Sequence, residues 1–99
     1  LRMAHLEREA IIVMYLDNQH CLQEREILFI GTLSHTEVHP RQVVKSALKH
    51  NAGAVILAHN NPSGTTEIRQ QDKHMTQRIV KALALVEVRV LDQLVVGNE

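Results

Sequence analysis

Aromatic residues are almost missing from this chain: 99 residues hold no tryptophan, one tyrosine (Tyr15) and one phenylalanine (Phe29). A platform on which bases or sugars stack is therefore not expected. A single cysteine, Cys21, closes no internal disulfide and no cysteine-based zinc site, which fits a reducing, cytoplasmic compartment. No apolar run approaches the roughly 18 residues of a membrane span, and no basic-then-apolar leader opens the chain, so no membrane association is expected. Neither sign of charge is in excess, with eleven Lys plus Arg against eleven Asp plus Glu. That balance argues against direct nucleic-acid binding, since gripping a polyanion needs a positive surplus on one face.

What the chain does have is 44% hydrophobic content and seven histidines. The length and composition suit one small domain covering 1–99, burying about 60–65% of its extended surface. Stability is expected to be modest and a homodimer reasonable, since a small sheet leaves strand edges unpaired. Starting at Leu1 and stopping at Glu99 just after an apolar run, the chain reads as a piece of a longer protein.

Apolar periodicity sets out the elements. Glu9 to Leu16 is a β-branched apolar run followed by the turn Asp17-Asn18-Gln19. Leu22 to Leu33 is a second strand, joined to the first by a hairpin-length connection. Its alternation groups Leu22, Glu24, Glu26, Leu28 and Ile30 against Gln23, Arg25, Ile27 and Phe29, with Gly31 marking a bulge. Pro40 starts a helix whose apolar stripe is Val43, Val44, Ala47 and Leu48, while Arg41, Lys45 and Lys49 face water. Asn51 and Gly53 end it. Gly53 to Ala58 is apolar on both parities, as in a strand buried on both faces, and stops in the turn formers His59 to Gly64. A second helix begins between Thr66 and Asp72 and runs to about Val86, with Met75, Ile79, Leu83 and Val86 at helical spacing. Val88 to Val96 is a last strand or strand pair, bent at Asp92. The order β-β-α-β-α-β predicts an α/β sandwich on a mixed sheet, its first two strands antiparallel.

The richest chemistry clusters where the third strand ends. His59 and Asn61 are two apart, so a strand would send both side chains from one face. Asp72 follows thirteen residues after His59, where a returning helix would bring its carboxylate back. An imidazole, an amide oxygen and a carboxylate make a candidate ligand set; with His at 61 they would match the His₂-carboxylate set of catalytic zinc sites. The plainer reading is a strand cap followed by an ordinary turn. Glu26 shares a face with Leu28 and Ile30. Desolvated there it would serve as a general base, and solvated it would pair with a neighbouring cation. His39 either caps the helix that follows or lines a site. Ser63 lacks the Gly-x-Ser-x-Gly setting of a nucleophile elbow.

Thr36-Glu37-Val38-His39-Pro40-Arg41, Ala54 to Asn60, Pro62-Ser63-Gly64, Asp72 and Leu91-Asp92, in that order, resemble the RadC-like family. That family belongs to the JAB/MPN (JAMM) superfamily of metalloprotease-like domains. The resemblance implies a cytidine-deaminase-like α-β-α sandwich. It also implies a bacterial zinc hydrolase acting on peptide or isopeptide bonds, with zinc held by a His-x-His pair and a downstream aspartate. An upstream glutamate would act as base and acid. His59 matches the first histidine, Asp72 the aspartate and Glu26 the glutamate. Asn61 stands at the second-histidine position, Arg69 where an oxyanion-holding serine is usual, Gln42 where a glutamate is usual and Gln93 where a histidine follows the late aspartate. A neutral amide binds zinc far less well than imidazole, so a weakened or lost zinc site is expected. The chain is then either a weak hydrolase acting on a protein or peptide, or a pseudoenzyme kept as a protein-binding module. A DNA-repair role, suggested by the family name alone, has little support in the composition.

Overall fold

A computed structural model describes residues 9–31, 38–60 and 66–96; the side chains at 9, 29–31, 66–69, 71 and 72 are outside that description. The elements are β1 (Glu9–Leu16), β2 (Leu22–Gly31), α1 (Pro40–Lys49), β3 (Ala54–Asn60), α2 (Thr66–Leu85) and β4 (Arg89–Val96). The order is the β-β-α-β-α-β that the periodicity predicts.

Local chemistry accounts for the joints. In the β1–β2 turn, Asp17 Oδ1 accepts the backbone N–H groups of Gln19 (2.8 Å) and Cys21 (2.9 Å), and Asp17 N donates to Cys21 O at 2.9 Å. This Asx-type arrangement supplies the reversal, with His20 in the left-handed region at φ 63. At the start of α1, Gln42 N donates to His39 O at 2.9 Å. The Gln42 side-chain oxygen accepts the His39 N–H at 3.0 Å. A neutral amide thus makes the return bond that a glutamate makes in a capping box. Asn51, at φ 50, ends that helix. At Gly53 a Cβ would meet the side-chain oxygen of Asn18 in the β1–β2 turn, so a larger residue there requires that side chain to move.

The four strands form one mixed sheet in the order β2-β1-β3-β4. β1 is antiparallel to both neighbours, and β3 is parallel to β4. Both helical crossovers therefore join parallel strands and step the same way across the sheet. With the usual right-handed crossover, that places both helices on one face. The packing agrees. Ile11, Val13, Tyr15, Val55 and Leu57 pack with Val43 and Ala47 of α1 and Met75, Ile79 and Leu83 of α2. Full burial of each large side chain there stabilises by roughly 1.5–3 kcal/mol. The other face holds a small cluster of Ala10, Ile12 and Ala58 with Met14 and Val96 at its margin. Among the described residues no helix covers it.

Some details differ from the sequence pattern. Leu48, assigned to the apolar stripe of α1, is 54% exposed, because the helix turns only Val43, Ala47 and part of Val44 onto the sheet. β3 runs two residues further than its apolar stretch, taking in His59 and Asn60, because β4 continues as its partner to Val96. β4 is one strand. Its irregularity falls between Val90 and Asp92, beside the expected bend. The bulge expected near Gly31 is present, where β1 and β2 shift register between Glu9 and Ala10. Among the described residues no helix is long and apolar enough to cross a membrane.

Candidate functional site

His59 occupies the C-terminal end of β3, half-buried, with Ile11 of β1 as its partner on one side and Val95 of β4 on the other. Its parity is that of Val55 and Leu57, so it stands on the helix-covered face, at the margin of the core. The β1–β3 ladder stops at the Ile11–His59 pair. One step further, Ala10 N donates to the side-chain Oδ1 of Asn60 at 2.8 Å, so an amide side chain replaces the next ladder partner. Asn60 is 1% exposed and of opposite parity to His59. It is the residue of this turn-rich segment that sequence reasoning passed over. Its signal was a polar side chain on the parity of Ile56 and Ala58.

Only residues 61–65 lie between β3 and α2, so β3's C-terminal end and the first turn of α2 share one end of the sheet. Asp72 falls in the second turn of α2, and Arg69 in the turn before it. Their side chains, and Asn61 and Ser63 altogether, lie outside the described residues.

Glu26 sits elsewhere. It pairs with Val13, whose other partner is Leu57, so β1 separates it from β3 and it is two residues out of line with His59. Strand spacing puts the two Cα atoms about 12 Å apart. Its carboxylate is engaged: Tyr15 donates its hydroxyl to Glu26 Oε1 at 2.6 Å. Burial, then this hydrogen bond, pushes the Tyr15 hydroxyl well above the usual phenol range, against a smaller opposite pull from a Ser46 hydrogen bond. The His50 ring lies 5.8 Å from the Tyr15 ring, tilted by 37°. Glu9, which the sequence reading left aside, has a register position at the His59 end of β1, two residues before Ile11.

His39 is exposed at the start of α1, where its backbone takes part in the cap. Cys21 is an exposed free thiol in the β1–β2 turn.

No group of three His, Cys, Asp or Glu among the described residues is placed to hold a metal ion. The donor set expected from the sequence would fit a catalytic zinc poorly. The expected donors are His59, Asp72 and the neutral amide of Asn61, and of these only the His59 side chain is among those described. Catalytic zinc sites use three firm protein ligands and keep a fourth position for water. An amide oxygen is too weak a donor to replace imidazole there.

The chain is 61% identical to UPF0758 protein YkfG of Escherichia coli (strain K12) over 98 residues, covering 99% of this chain and 62% of that protein. It is 59% identical to UPF0758 protein YfjY of the same organism, again over 98 residues and 99% of this chain, and 61% of that relative. With UPF0758 protein YeeS, also from that strain, the identity is 56% over 98 residues, 99% of this chain and 66% of the relative. The chain thus spans a little over three fifths of the length of these curated relatives. The sequence matches the RadC-like JAB domain family over residues 1–99. With that match across the whole chain, and a mixed four-stranded sheet with two helices in the order β-β-α-β-α-β, the chain belongs to the RadC-like JAB domain family.

Proposed function

We propose that this RadC-like JAB domain descends from zinc-dependent hydrolases of the peptide or isopeptide class and has a degenerate metal site. The observation that carries this reading is the imidazole of His59, half-buried at the C-terminal end of β3, with Asn61 two residues on in the sequence. With one ligand replaced by an amide, zinc is held weakly and hydrolysis is slow or lost. His59 and Asp72 are the remaining ligands in this reading.

The chain purified without chelator should carry well under one zinc per molecule by elemental analysis. The Asn61→His variant should take up close to one, and His59→Ala in that background should lose it again. Stoichiometric zinc in the unaltered chain, or no gain in Asn61→His, would sink the reading.

A second reading, a pseudoenzyme that binds a protein or peptide, draws on the Tyr15–Glu26 hydrogen bond. A carboxylate that already accepts a hydroxyl at 2.6 Å, with a strand between it and His59, is poorly available as a base. If Asn61→His binds zinc yet cleaves no peptide or isopeptide substrate, this second reading takes over.

A further inference from the structure

The zero net charge of the chain conceals a strong asymmetry. Arg41, Lys45 and Lys49 are the charged residues of α1, and Lys73, Arg78 and Lys81 are those of α2 from its third turn onward. No acidic residue lies in 40–49 or 73–85; the two acids of α2, Glu67 and Asp72, fall in its first two turns. All six basic side chains are exposed. Most of the chain's described acids lie on the strands and turns: Asp17, Glu24, Glu26, Glu87 and Asp92.

The tertiary structure brings the two basic stretches together. Both helices pack on the same face of the sheet and against each other, so their outward surfaces form one layer. Arg41, Lys45 and Lys49 follow each other at four-residue intervals, a row about 12 Å long. Lys73, Gln77 and Lys81 make a second row of about 12 Å, with Arg78 beside it. Packed helices lie about 8–10 Å apart, so six cations share a surface little wider than the helix pair itself.

We propose that this helical face binds the phosphate backbone of duplex nucleic acid without reading its sequence. The composition of the face selects this partner over others. Protein-binding surfaces are depleted in Lys and enriched in aromatics, whereas this face carries four lysines and no aromatic residue. Among the described residues its exposed large apolar side chains are Leu48 and, at the end of α2, Leu85. That is too little for an apolar interface or for insertion into a lipid surface. Single-stranded nucleic acid needs stacking platforms, and Tyr15 is fully buried. A charge-dense backbone contacted by lysine, arginine and interspersed glutamine side chains needs neither.

The test is fluorescence anisotropy of the 99-residue chain with a labelled 24-base-pair duplex between 50 and 200 mM salt. If four to six phosphates are neutralised, log K falls with log salt at a slope of about −3.5 to −5.5, and affinity drops by roughly a hundredfold or more across that range. Lys45→Gln/Lys81→Gln should reduce the slope by about two and weaken binding at least tenfold. Arg25→Gln/Arg89→Gln carries the same change in net charge on the strands and should bind like the unaltered chain. All four positions are exposed, and circular dichroism checks that each variant folds. No binding at 50 mM salt would overturn the proposal, and so would equal losses in the two double variants. Tighter binding to polyglutamate, or to vesicles of one-third phosphatidylserine in phosphatidylcholine, would also overturn it by identifying a different polyanion.

Discussion

The two faces of the sheet are built by the same strands and differ in almost everything else. Ile11, Val13, Tyr15, Val55 and Leu57 on one face lie under both helices, at 0–1% exposure. Ala10, Ile12 and Ala58 on the other are also buried but make a smaller cluster, and Ile27 beside it is 51% exposed. Each face shelters a polar group: Asn60 is buried at the end of the uncovered one, and the covered one holds a hydroxyl and an imidazole. There the Tyr15 hydroxyl is held against Glu26, and His59 stands half-buried at the margin. Among the described residues, the perturbed hydroxyl of Tyr15 lies on the covered face.

The contrast can be broken from the covered side first. Leu57→Ala removes a side chain that is 1% exposed beneath the helices and should cost about 3 kcal/mol in urea unfolding, within the usual 2–5 range. Ile27→Ala on the uncovered face should stay within about 0.5 kcal/mol. Equal costs would mean the two faces are equally packed. Asn60→Ala comes next. It leaves the Ala10 N–H unsatisfied at a buried position and should cost about 2 kcal/mol, with faster amide exchange at Ala10.

A smaller effect sharpens the comparison by pH. Tyr15 keeps its proton in the folded chain beyond the pH at which a free phenol, with a value near 10, loses it. Its contribution is complete below about pH 10 and is lost as pH rises further, because the unfolded chain alone then releases the proton. Tyr15→Phe should cost about 1 kcal/mol at pH 7 and flatten the fall in stability between pH 10 and 12. An unchanged alkaline slope in that variant would remove Tyr15 as its source.

Local pattern made much of the fold legible. Asp17 and Asn18 announced a turn, Pro40 a helix start, and the period of Met75, Ile79 and Leu83 a buried helical stripe; all are where the pattern puts them. The site was legible only in part. His59 at the end of β3 followed from the apolar run before it, whereas Asn61 stood out only beside the family motif, where a histidine is usual. Glu26 was harder: its parity with Leu28 predicts an inward carboxylate but not that Tyr15 claims it. That contact is diagonal, joining residues eleven apart across a hairpin. Leu48 misled because a helix of ten residues has room for an apolar stripe wider than the surface it covers.

By itself the amino-acid sequence determined the order of elements, the turn and cap chemistry and most residues of the core. These depend on neighbours in the chain or on residue type, and each can be read without knowing what lies across the sheet. The tertiary structure decided which strands stand at the edges, which carboxylate accepts the tyrosine and how charge is distributed. Zero net charge argued against a polyanion partner. Two crossovers stepping the same way put α1 and α2 side by side, and a balanced composition became a basic helical layer over a sheet whose strands and turns carry most of the described acids. Charge adds over the whole chain in composition, but a partner meets only the surface that the fold assembles.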